Sequence, residues 1–310
     1  MKTCLVIYNP NSGRYNKEKI LPEIKRVIEE NSYKVVIKET EYKGHATEIV
    51  KRCKQYDLVI SIGGDGTFNE VMMGNFMRKE RLILCHLPSG TTNDIGAMWG
   101  YGKDMIKNLK LALSGEIKKI DMCTINGKPF VYSLGFGKFM NIPYETPREL
   151  KKRLGYIAYL KEGVKDFFRK TKLYDITYFV NGEEYRGLFS FALITNANRV
   201  AGINNFYKDI KLNDNRFEIL MCNITKLRNI VKTLFFFAKY DASKIPGFYF
   251  YKTDYFRFKF NNPLKKKLCI DGESLEDMSG NYEIKIDHDV HVLMPSTNIK
   301  DLFVKEKKIK

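Results

Sequence analysis

The sequence predicts an α/β domain with a doubly wound, mostly parallel sheet, followed by an antiparallel β-sandwich domain. Its length of 310 residues corresponds to about two domains at roughly 150 residues each. Residues 1–121 alternate short apolar runs with helical patterns, which is typical of a parallel sheet covered by helices. After Asp121, aromatic and apolar segments alternate with turn signals, which indicates an antiparallel sandwich or barrel.

The first predicted domain, residues 1–121, should contain four strands and three helices. Apolar runs predict strands at 3–8, 33–38, 57–62 and 82–87. The run at 57–62 has an unbroken Leu-Val-Ile pattern and should be buried on both faces. Helical spacing predicts helices at about 20–28, 46–53 and 67–74, and Pro22 indicates a break or a late start in the first of them.

The second predicted domain, residues 122–296, is built from hairpins. Asn126-Gly127 and Asn181-Gly182 stand between apolar runs, a sequence signature of tight hairpin turns. We expect one helical insert at 148–170, and we expect that the last residues, about 297–310, can pack back on the first domain. Strands are predicted at 128–134, 174–180, 186–195, 216–222, 251–260, 266–271 and 281–294.

Composition excludes several classes of protein. A hydrophobic share of 44% rules out a disordered chain. The mean hydropathy is −0.34, and the longest apolar run, 233–238, is too short to span a bilayer. The six cysteines form no CxxC pair, which favours a reduced cytoplasmic protein over a disulfide framework or a zinc site. The net charge of +17 is compatible with binding of nucleic acid, an anionic lipid surface or a phosphorylated substrate. It is equally compatible with an AT-rich genome that simply uses many lysines.

The strongest local motif leaves the third predicted strand and begins a helix. Glycines there allow a phosphate to approach backbone N–H groups at a helix N-terminus. Thr67 and Glu70 have the spacing of a capping box. The carboxylate of Asp65 would repel a bound phosphate unless Mg²⁺, another cation or a ribose hydroxyl contacts it. The alternative to a phosphate site is a tight turn in which the aspartate has a structural role. The motif consists of Gly63, Gly64, Asp65, Gly66 and Thr67.

Two further loops follow the first and fourth predicted strands. Because the carboxyl ends of parallel strands meet at one sheet edge, we expect all three loops to lie together. Each loop alone could be an ordinary turn, but three in succession favour a nucleotide site. The residues concerned are Asn9, Pro10, Asn11, Ser12 and Gly13 in the first loop, and Gly90, Thr91 and Asn93 in the last.

The ordered set of motifs resembles the soluble diacylglycerol kinase catalytic family, which includes sphingosine and ceramide kinases and bacterial lipid kinases. The Gly-Gly-Asp-Gly-Thr loop alone is not specific, since NAD kinases and phosphofructokinases carry similar loops. The resemblance covers nearly the whole chain, and residues 141–147 are similar to the bacterial branch. Its further motifs are Thr40, Gly44-His45-Ala46, Ser133-Leu-Gly-Phe-Gly137, Leu212-Asn-Asp214 and Asp271-Gly-Glu273.

This resemblance implies a two-domain lipid kinase with ATP in the cleft between domains. Thr40, Glu70 and the three loops would bind the nucleotide, and Asp65 would help to hold the catalytic Mg²⁺, either directly or through water. A structural Mg²⁺ would be bound by the Asp214 side chain and by the backbone carbonyls of Lys211 and Arg216. The family usually has glycine after this aspartate, but the chain has Asn215. Asparagine tolerates the left-handed backbone, and an Asx-turn without metal is the alternative.

Asp271-Gly272-Glu273 follows a short apolar strand. On an extended chain the two carboxylates would share one face, so that one could accept a proton from a substrate hydroxyl. The alternative is an acidic β-turn. The resemblance implies that the catalytic base lies in this motif, and the sequence does not separate Asp271 from Glu273.

The predicted helix 148–170 is basic and amphipathic, a pattern that suits an anionic membrane surface, although a solvated basic face is the alternative. The resulting prediction is a cytoplasmic, peripherally membrane-associated kinase that uses ATP and Mg²⁺ to phosphorylate diacylglycerol or a similar lipid. The alternatives are a kinase for a sphingoid base, ceramide or polyprenol, an NAD kinase, or a non-catalytic binding protein. No nucleic-acid partner is expected, and a homodimer through sheet-edge pairing is left open.

Overall fold

The structure is a computed structural model. It describes residues 1–13, 15–140, 142, 146, 156–200, 203–204, 209–226, 247–262, 268–275, 279–297 and 299–304. The apolar run 233–238 and the predicted helical residues 148–155 lie outside the described residues. The chain forms two compact units, which we describe separately. Unit 1 comprises residues 1–121, 211–214 and 288–310, and unit 2 comprises residues 122–210 and 215–287.

A parallel sheet with the strand order β2-β1-β3-β4 forms the centre of unit 1. Every residue of its third strand is buried, as the unbroken apolar pattern predicts. The strands are β1 (Lys2–Tyr8), β2 (Tyr33–Glu39), β3 (Leu58–Gly63) and β4 (Leu84–Pro88). The helices are α1 (Lys17–Glu30), α2 (His45–Arg52), α3 (Asp65–Phe76), α4 (Asp94–Met98) and α5 (Met105–Leu113). This arrangement confirms the predicted α/β class.

Helix α1 contains Pro22 without a break, so the expected break or late start is wrong. The Asn16 side chain accepts a hydrogen bond from the Lys19 N–H and caps the first turn. Proline removes one helical hydrogen bond, here close to the N-terminal end. The apolar face of the helix is buried, including Leu21 and Ile24, and this packing outweighs the missing bond.

Helix α3 begins at Asp65, two residues earlier than predicted, with Gly64 as its N-cap and no side-chain cap. The predicted capping box is therefore wrong, because Thr67 is already the third helical residue. Its hydroxyl instead accepts a hydrogen bond from Asn9 Nδ2 at 2.9 Å. The early start places the carboxylate of Asp65 in the first helical turn.

Helices α4 and α5 were not predicted. The five residues of α4 are too few to show helical periodicity. Helix α5 has a readable signal, because the Asp104 carboxylate caps it by accepting from the Lys107 N–H at 2.9 Å, and Leu109 and Ala112 are buried at helical spacing.

Unit 2 consists mainly of two antiparallel sheets. One has the order β18-β15-β8-β9 and the other β14-β13-β10-β7-β16-β17. The strands are β5 (Glu116–Ile125), β6 (Lys128–Phe130), β7 (Ser133–Gly137), β8 (Tyr174–Val180), β9 (Glu183–Phe189), β10 (Phe191–Thr195), β11 (Arg199–Val200), β12 (Ile203–Asn204), β13 (Phe217–Cys222), β14 (Phe248–Thr253), β15 (Tyr255–Phe260), β16 (Cys269–Ile270), β17 (Glu273–Ser274) and β18 (Asn281–Met294).

Both sheets contribute to one hydrophobic core. Phe256 and Phe258 come from one sheet, and Ile194 and Ile219 come from the other. The predicted antiparallel sandwich is therefore confirmed. The two predicted hairpin turns also form: both residues of Asn126-Gly127 and of Asn181-Gly182 have positive φ, as a type I′ turn requires.

Two segments predicted as single strands are pairs of strands that change sheet. Residues 186–195 break at Ser190, between β9 and β10, and residues 251–260 break at Asp254, between β14 and β15. In each pair, one strand belongs to one sheet and the second strand belongs to the other sheet. Sequence patterns do not show such corners, because the apolar character continues through them.

The predicted helical insert is described from Tyr156 to Phe168 as helix α6. Among the described residues, no helix has the length and apolar character needed to cross a membrane.

Candidate functional site

Three of the predicted loops meet at the carboxyl edge of the unit 1 sheet. They follow β1, β3 and β4, which are adjacent parallel strands. The Asn9 N–H donates to Ile62 O at 2.9 Å, and the Ser89 N–H donates to Gly63 O at 2.7 Å. Each outer loop is therefore joined by its backbone to the central strand.

Glycines allow these loops to pack backbone against backbone. A Cβ at Gly90 would lie 2.6 Å from Gly64 Cα, and a Cβ at Gly13 would lie 2.5 Å from Ser89 O. Gly13 also has φ +80°, a conformation that strains other residues. A side chain at either position would separate the loops, so the motif glycines create the close approach.

Polar side chains connect the same loops. Asn9 bonds Thr67 as described above, and its Oδ1 accepts from the Asn11 N–H at 3.0 Å. Ser89 Oγ donates to Ser12 Oγ at 3.2 Å. These contacts hold small polar side chains in place around the loop backbones.

Asn93 closes the third loop on itself. Its Oδ1 accepts from the Gly90 N–H at 2.7 Å, and its Nδ2 donates to Gly90 O at 2.9 Å. Its φ of 50° is in the left-handed region that asparagine tolerates. Thr91 at the loop tip, like Pro10 and Gly66 in the other loops, is exposed.

Asp65 is oriented by the helix that follows the third loop. One carboxylate oxygen accepts from the Asp94 N–H at 3.0 Å, and the other accepts from the Ile95 N–H at 3.1 Å. An acidic side chain at a helix N-terminus is electrostatically favourable. Asp65 therefore links the second loop to the third and has a fixed orientation at the sheet edge.

Glu70 binds the loop that follows β2. Its two carboxylate oxygens accept from the Gly44 N–H at 2.8 Å and the Ala46 N–H at 3.2 Å. Thr40, in the same loop, is buried, and its N–H donates to Tyr8 O at 2.9 Å. The predicted residues Thr40 and Glu70 therefore lie at the same sheet edge, and Glu70 serves to hold the loop.

The residues present fit a phosphate chain and a hard cation. Close-packed glycines expose backbone to an approaching phosphate, and carboxylate and amide oxygens are ligands that Mg²⁺ prefers. Asn69 adds such an oxygen: its Oδ1 is buried without a hydrogen-bond partner among the described residues. Sequence reasoning did not select Asn69, although it stands four residues after Asp65 on the same face of α3.

In unit 2, Asp271 and Gly272 form a two-residue turn, with φ of 46° and 82°, and Ile270 pairs with Glu273. The expectation of an extended chain with both carboxylates on one face is therefore wrong. The Asp-Gly sequence favours this turn because both positions need positive φ.

The Asp271 carboxylate is buried and held by three backbone groups. Oδ2 accepts from the Val131 N–H at 2.7 Å, and Oδ1 accepts from the Tyr132 and Ser133 N–H groups at 3.0 Å each. Burial raises the pKa of Asp271 to about 6, although the three donors lower it, and the charge of Glu273 raises it further. Three of about four lone-pair positions are thus occupied, whereas Glu273 is exposed.

Residues 211–216 are the segment predicted to bind a structural metal. Asn215 has φ of 60°, which is the left-handed backbone that asparagine is expected to tolerate there. Within unit 1, Leu212 O accepts from the Asp121 N–H at 2.6 Å, and Asn213 Oδ1 accepts from the Val304 N–H at 2.7 Å. The described residues contain no cluster of three or more His, Cys, Asp or Glu side chains suited to a metal. The site predicted at Asp214 would have only one carboxylate, with two backbone carbonyls, so it would not form such a cluster and this finding does not test it.

Comparison with known proteins identifies relatives over most of the chain. Residues 3–125 match the model of the diacylglycerol kinase catalytic domain. A protein named diacylglycerol kinase from Bacillus subtilis (strain 168) is 29% identical over 307 residues, covering 97% of this chain and 99% of the relative. One of the same name from Staphylococcus epidermidis is 27% identical, covering 98% and 95%.

A solved structure shows the same fold. The crystal structure of a diacylglycerol kinase from Bacillus anthracis superimposes with a TM-score of 0.78 and 22% identity, covering 94% of this chain and 97% of the other. The matched catalytic domain contains all three packed loops, and similarity to the named kinases continues through unit 2. These comparisons identify a diacylglycerol kinase catalytic domain at residues 3–125 and show that the chain, a kinase, is similar over nearly its whole length to bacterial proteins named diacylglycerol kinase.

Proposed function

We propose that the protein transfers the terminal phosphate of ATP, in the presence of Mg²⁺, to the free hydroxyl of diacylglycerol, giving phosphatidic acid and ADP. The observation that carries this proposal is the packing of three loops through Gly13, Gly64 and Gly90. Such an arrangement gives a phosphate chain direct access to backbone N–H groups at a helix N-terminus.

In unit 1 the loops bind and orient the nucleotide. Asn9 donates to Thr67, and Ser89 donates to Ser12, so these polar side chains have fixed positions beside the phosphates. Asp65 would help to hold Mg²⁺, which would supply charge neutralisation for the phosphates when bound. Asp214 and the backbone carbonyls of Lys211 and Arg216 would hold a second, structural Mg²⁺.

In unit 2 the two carboxylates have different roles. Glu273 is exposed and accepts the proton of the lipid hydroxyl. As the O–H bond breaks, a new bond forms between that oxygen and the terminal phosphorus, and the bond to the leaving ADP breaks. Asp271 is a positioning residue, because three backbone N–H groups occupy its buried carboxylate and fix the turn that carries Glu273.

Helix α6 supports docking on an anionic lipid surface. Val164 and Phe168 are 52% and 72% exposed, and the neighbouring Lys161, Lys165 and Lys170 are exposed. Exposed apolar side chains among basic ones favour binding at the headgroup region of anionic membranes. A lipid substrate is reached at such a surface.

Other acceptors are alternatives for the same site. A sphingoid base, ceramide or polyprenol also offers a hydroxyl. Preference among these lipids and their acyl chains depends on the shape of the cavity that holds the lipid, and not on the three nucleotide loops. Similarity to proteins named diacylglycerol kinase favours a lipid acceptor over NAD, and it favours an enzyme over a binding protein without activity.

The test is transfer from γ-labelled ATP to a panel of dispersed acceptors with Mg²⁺. The panel contains diacylglycerol, monoacylglycerol, sphingosine, ceramide, polyprenol and NAD, each with and without anionic phospholipid. We expect label in diacylglycerol, increased by the anionic phospholipid. Label only in another lipid would replace the proposed substrate, and label in NAD would overturn the lipid acceptor.

A further inference from the structure

A threonine hydroxyl is buried at the end of β10, beside the segment that binds the Asp271 carboxylate. Thr195 is the last residue of this strand and is fully buried. Its Oγ1 donates a hydrogen bond to Tyr132 O. Burial of a hydroxyl costs free energy unless the hydroxyl is hydrogen-bonded. This contact therefore satisfies the one polar side chain in an otherwise apolar strand.

The hydroxyl extends the connection between β7 and β10 by one residue. In the antiparallel register of the two strands, Thr195 lies opposite Ser133, the first residue of β7. Tyr132 stands one residue before β7, beyond the last pair of that register. The Thr195 side chain thus joins β10 to the segment whose backbone N–H groups bind Asp271.

The Thr195 contact acts on the peptide group between Tyr132 and Ser133. A peptide group is planar, so the orientation of the Tyr132 carbonyl also sets that of the Ser133 N–H. This N–H donates to Asp271 Oδ1 at 3.0 Å. The hydroxyl, the peptide and the carboxylate therefore form a chain of hydrogen bonds, in which each bond polarises and strengthens the next.

The same carboxylate belongs to the turn that carries Glu273. The Asp271 N–H donates to Ser133 O at 2.8 Å, and Ile270 pairs with Glu273 across the turn. Asp271 is thus bound to the start of β7 through both its side chain and its backbone. Rotation of the 132–133 peptide would shift the bound carboxylate and the turn with it.

A buried ion pair fixes the strand on the other side of Thr195. Glu218 of β13 lies opposite Thr195 in the register and is 1% exposed. Its carboxylate lies 3.3 Å from Nζ of Lys252, the residue opposite it on β14. Breaking a buried ion pair is strongly destabilising, so the register of β13 beside Thr195 is well determined.

We propose that Thr195 is a positioning residue for the proton acceptor, acting through the 132–133 peptide and Asp271. This inference rests on the proposed function, because it takes Glu273 as the group that accepts the proton of the lipid hydroxyl. Loss of the Thr195 hydroxyl should therefore affect the rate of phosphate transfer and leave nucleotide binding unchanged.

Thr195→Val tests this role, because valine has nearly the same shape as threonine but no hydroxyl. The kcat for transfer from γ-labelled ATP to diacylglycerol with Mg²⁺ should fall by about 10-fold to about 100-fold, with unchanged affinity for ATP in isothermal titration. Thr195→Ala, a second variant without the hydroxyl, should show the same loss. Thr195→Ser keeps the hydroxyl and should transfer phosphate at nearly the wild-type rate.

Thr253→Val is the matched control. Thr253 is also buried in unit 2, and its Oγ1 donates to Tyr255 O at 3.0 Å. Its loss removes an equivalent bond that does not lead to Asp271, so urea unfolding should show a similar destabilisation while kcat remains that of the wild type. Wild-type kcat in Thr195→Val, an equal loss of kcat in Thr253→Val, or a Thr195→Ser variant as slow as Thr195→Val would overturn the inference.

A double-mutant cycle in urea unfolding tests the link to Asp271 without an activity assay. Thr195→Val and Asp271→Asn should together destabilise the protein by less than the sum of their separate effects, because both interrupt one chain of hydrogen bonds. Additive effects would overturn the inference whatever the activity. If the effects are not additive but the wild type transfers phosphate to no lipid, the proposed function fails while the link between Thr195 and Asp271 stands.

Discussion

Replacing Gly90 by alanine tests the packing on which the nucleotide site depends. The new Cβ would lie 2.6 Å from Gly64 Cα, whereas ordinary contact begins at 3.4 Å, so the loops must separate by about 0.8 Å. Overpacking of this kind typically costs about 1–3 kcal/mol. We expect Gly90→Ala to lower the free energy of unfolding of unit 1 by that amount and to weaken ATP binding.

Gly66→Ala is the matched control, because a Cβ at Gly66 meets nothing within 4 Å. Alanine also favours the helix more than glycine does, so the stability of this variant should equal or slightly exceed that of the wild type. Urea unfolding followed by tryptophan fluorescence measures both variants, since the chain has one tryptophan, Trp99, which is buried in unit 1. An unchanged unfolding midpoint for Gly90→Ala would refute the close packing of the loops.

Asp65→Asn should destabilise unit 1 by about 1–2 kcal/mol in urea unfolding, because an amide oxygen cannot accept from the N–H groups of both Asp94 and Ile95 as the two carboxylate oxygens do. For Asp271, the folded-state pKa of about 6 exceeds the ordinary 3.8. Its contribution to stability is therefore fully present below the ordinary value and is lost as the pH rises through about 6, by about 3 kcal/mol. The difference in the free energy of unfolding between the wild type and Asp271→Asn, measured between about pH 4 and about pH 8, should show this loss. A difference that does not depend on pH would contradict it. Asn215→Ala should cost about 1–2 kcal/mol because φ is 60°, whereas Asn215→Gly should cost less; equal unfolding curves for the two would disprove the backbone argument.

The fold class and the grouping of the loops could be predicted because they depend on local patterns. Buried strands such as β3 show continuous apolar runs, and the parallel arrangement brings their carboxyl ends to one edge. The strand boundaries inside unit 2 could not be predicted in the same way. At Ser190 and Asp254 the chain changes sheet while its apolar character continues, so the corner depends on packing between sheets.

The candidate site could also be predicted only in part. The sequence indicates that Asp65, Glu70 and Asp271 are site residues, but it does not indicate which groups their carboxylates bind. Asp65 and Glu70 bind backbone N–H groups of other loops, and Asp271 binds those of Val131 and its neighbours. These partners are 24 or more positions away in the chain, so only the tertiary structure brings them together.

The proposed phosphate transfer is tested most directly by comparing Glu273→Gln with the wild type in the rate of transfer from γ-labelled ATP to diacylglycerol. Removing a proton acceptor typically lowers the rate by a factor of about 10²–10⁴. We predict labelled phosphatidic acid from the wild type, and a loss of that size in Glu273→Gln with unchanged ATP affinity and unchanged unfolding. Transfer by Glu273→Gln at the wild-type rate would contradict the assignment of Glu273 as the proton acceptor, and no transfer by the wild type to any lipid would contradict the proposed function.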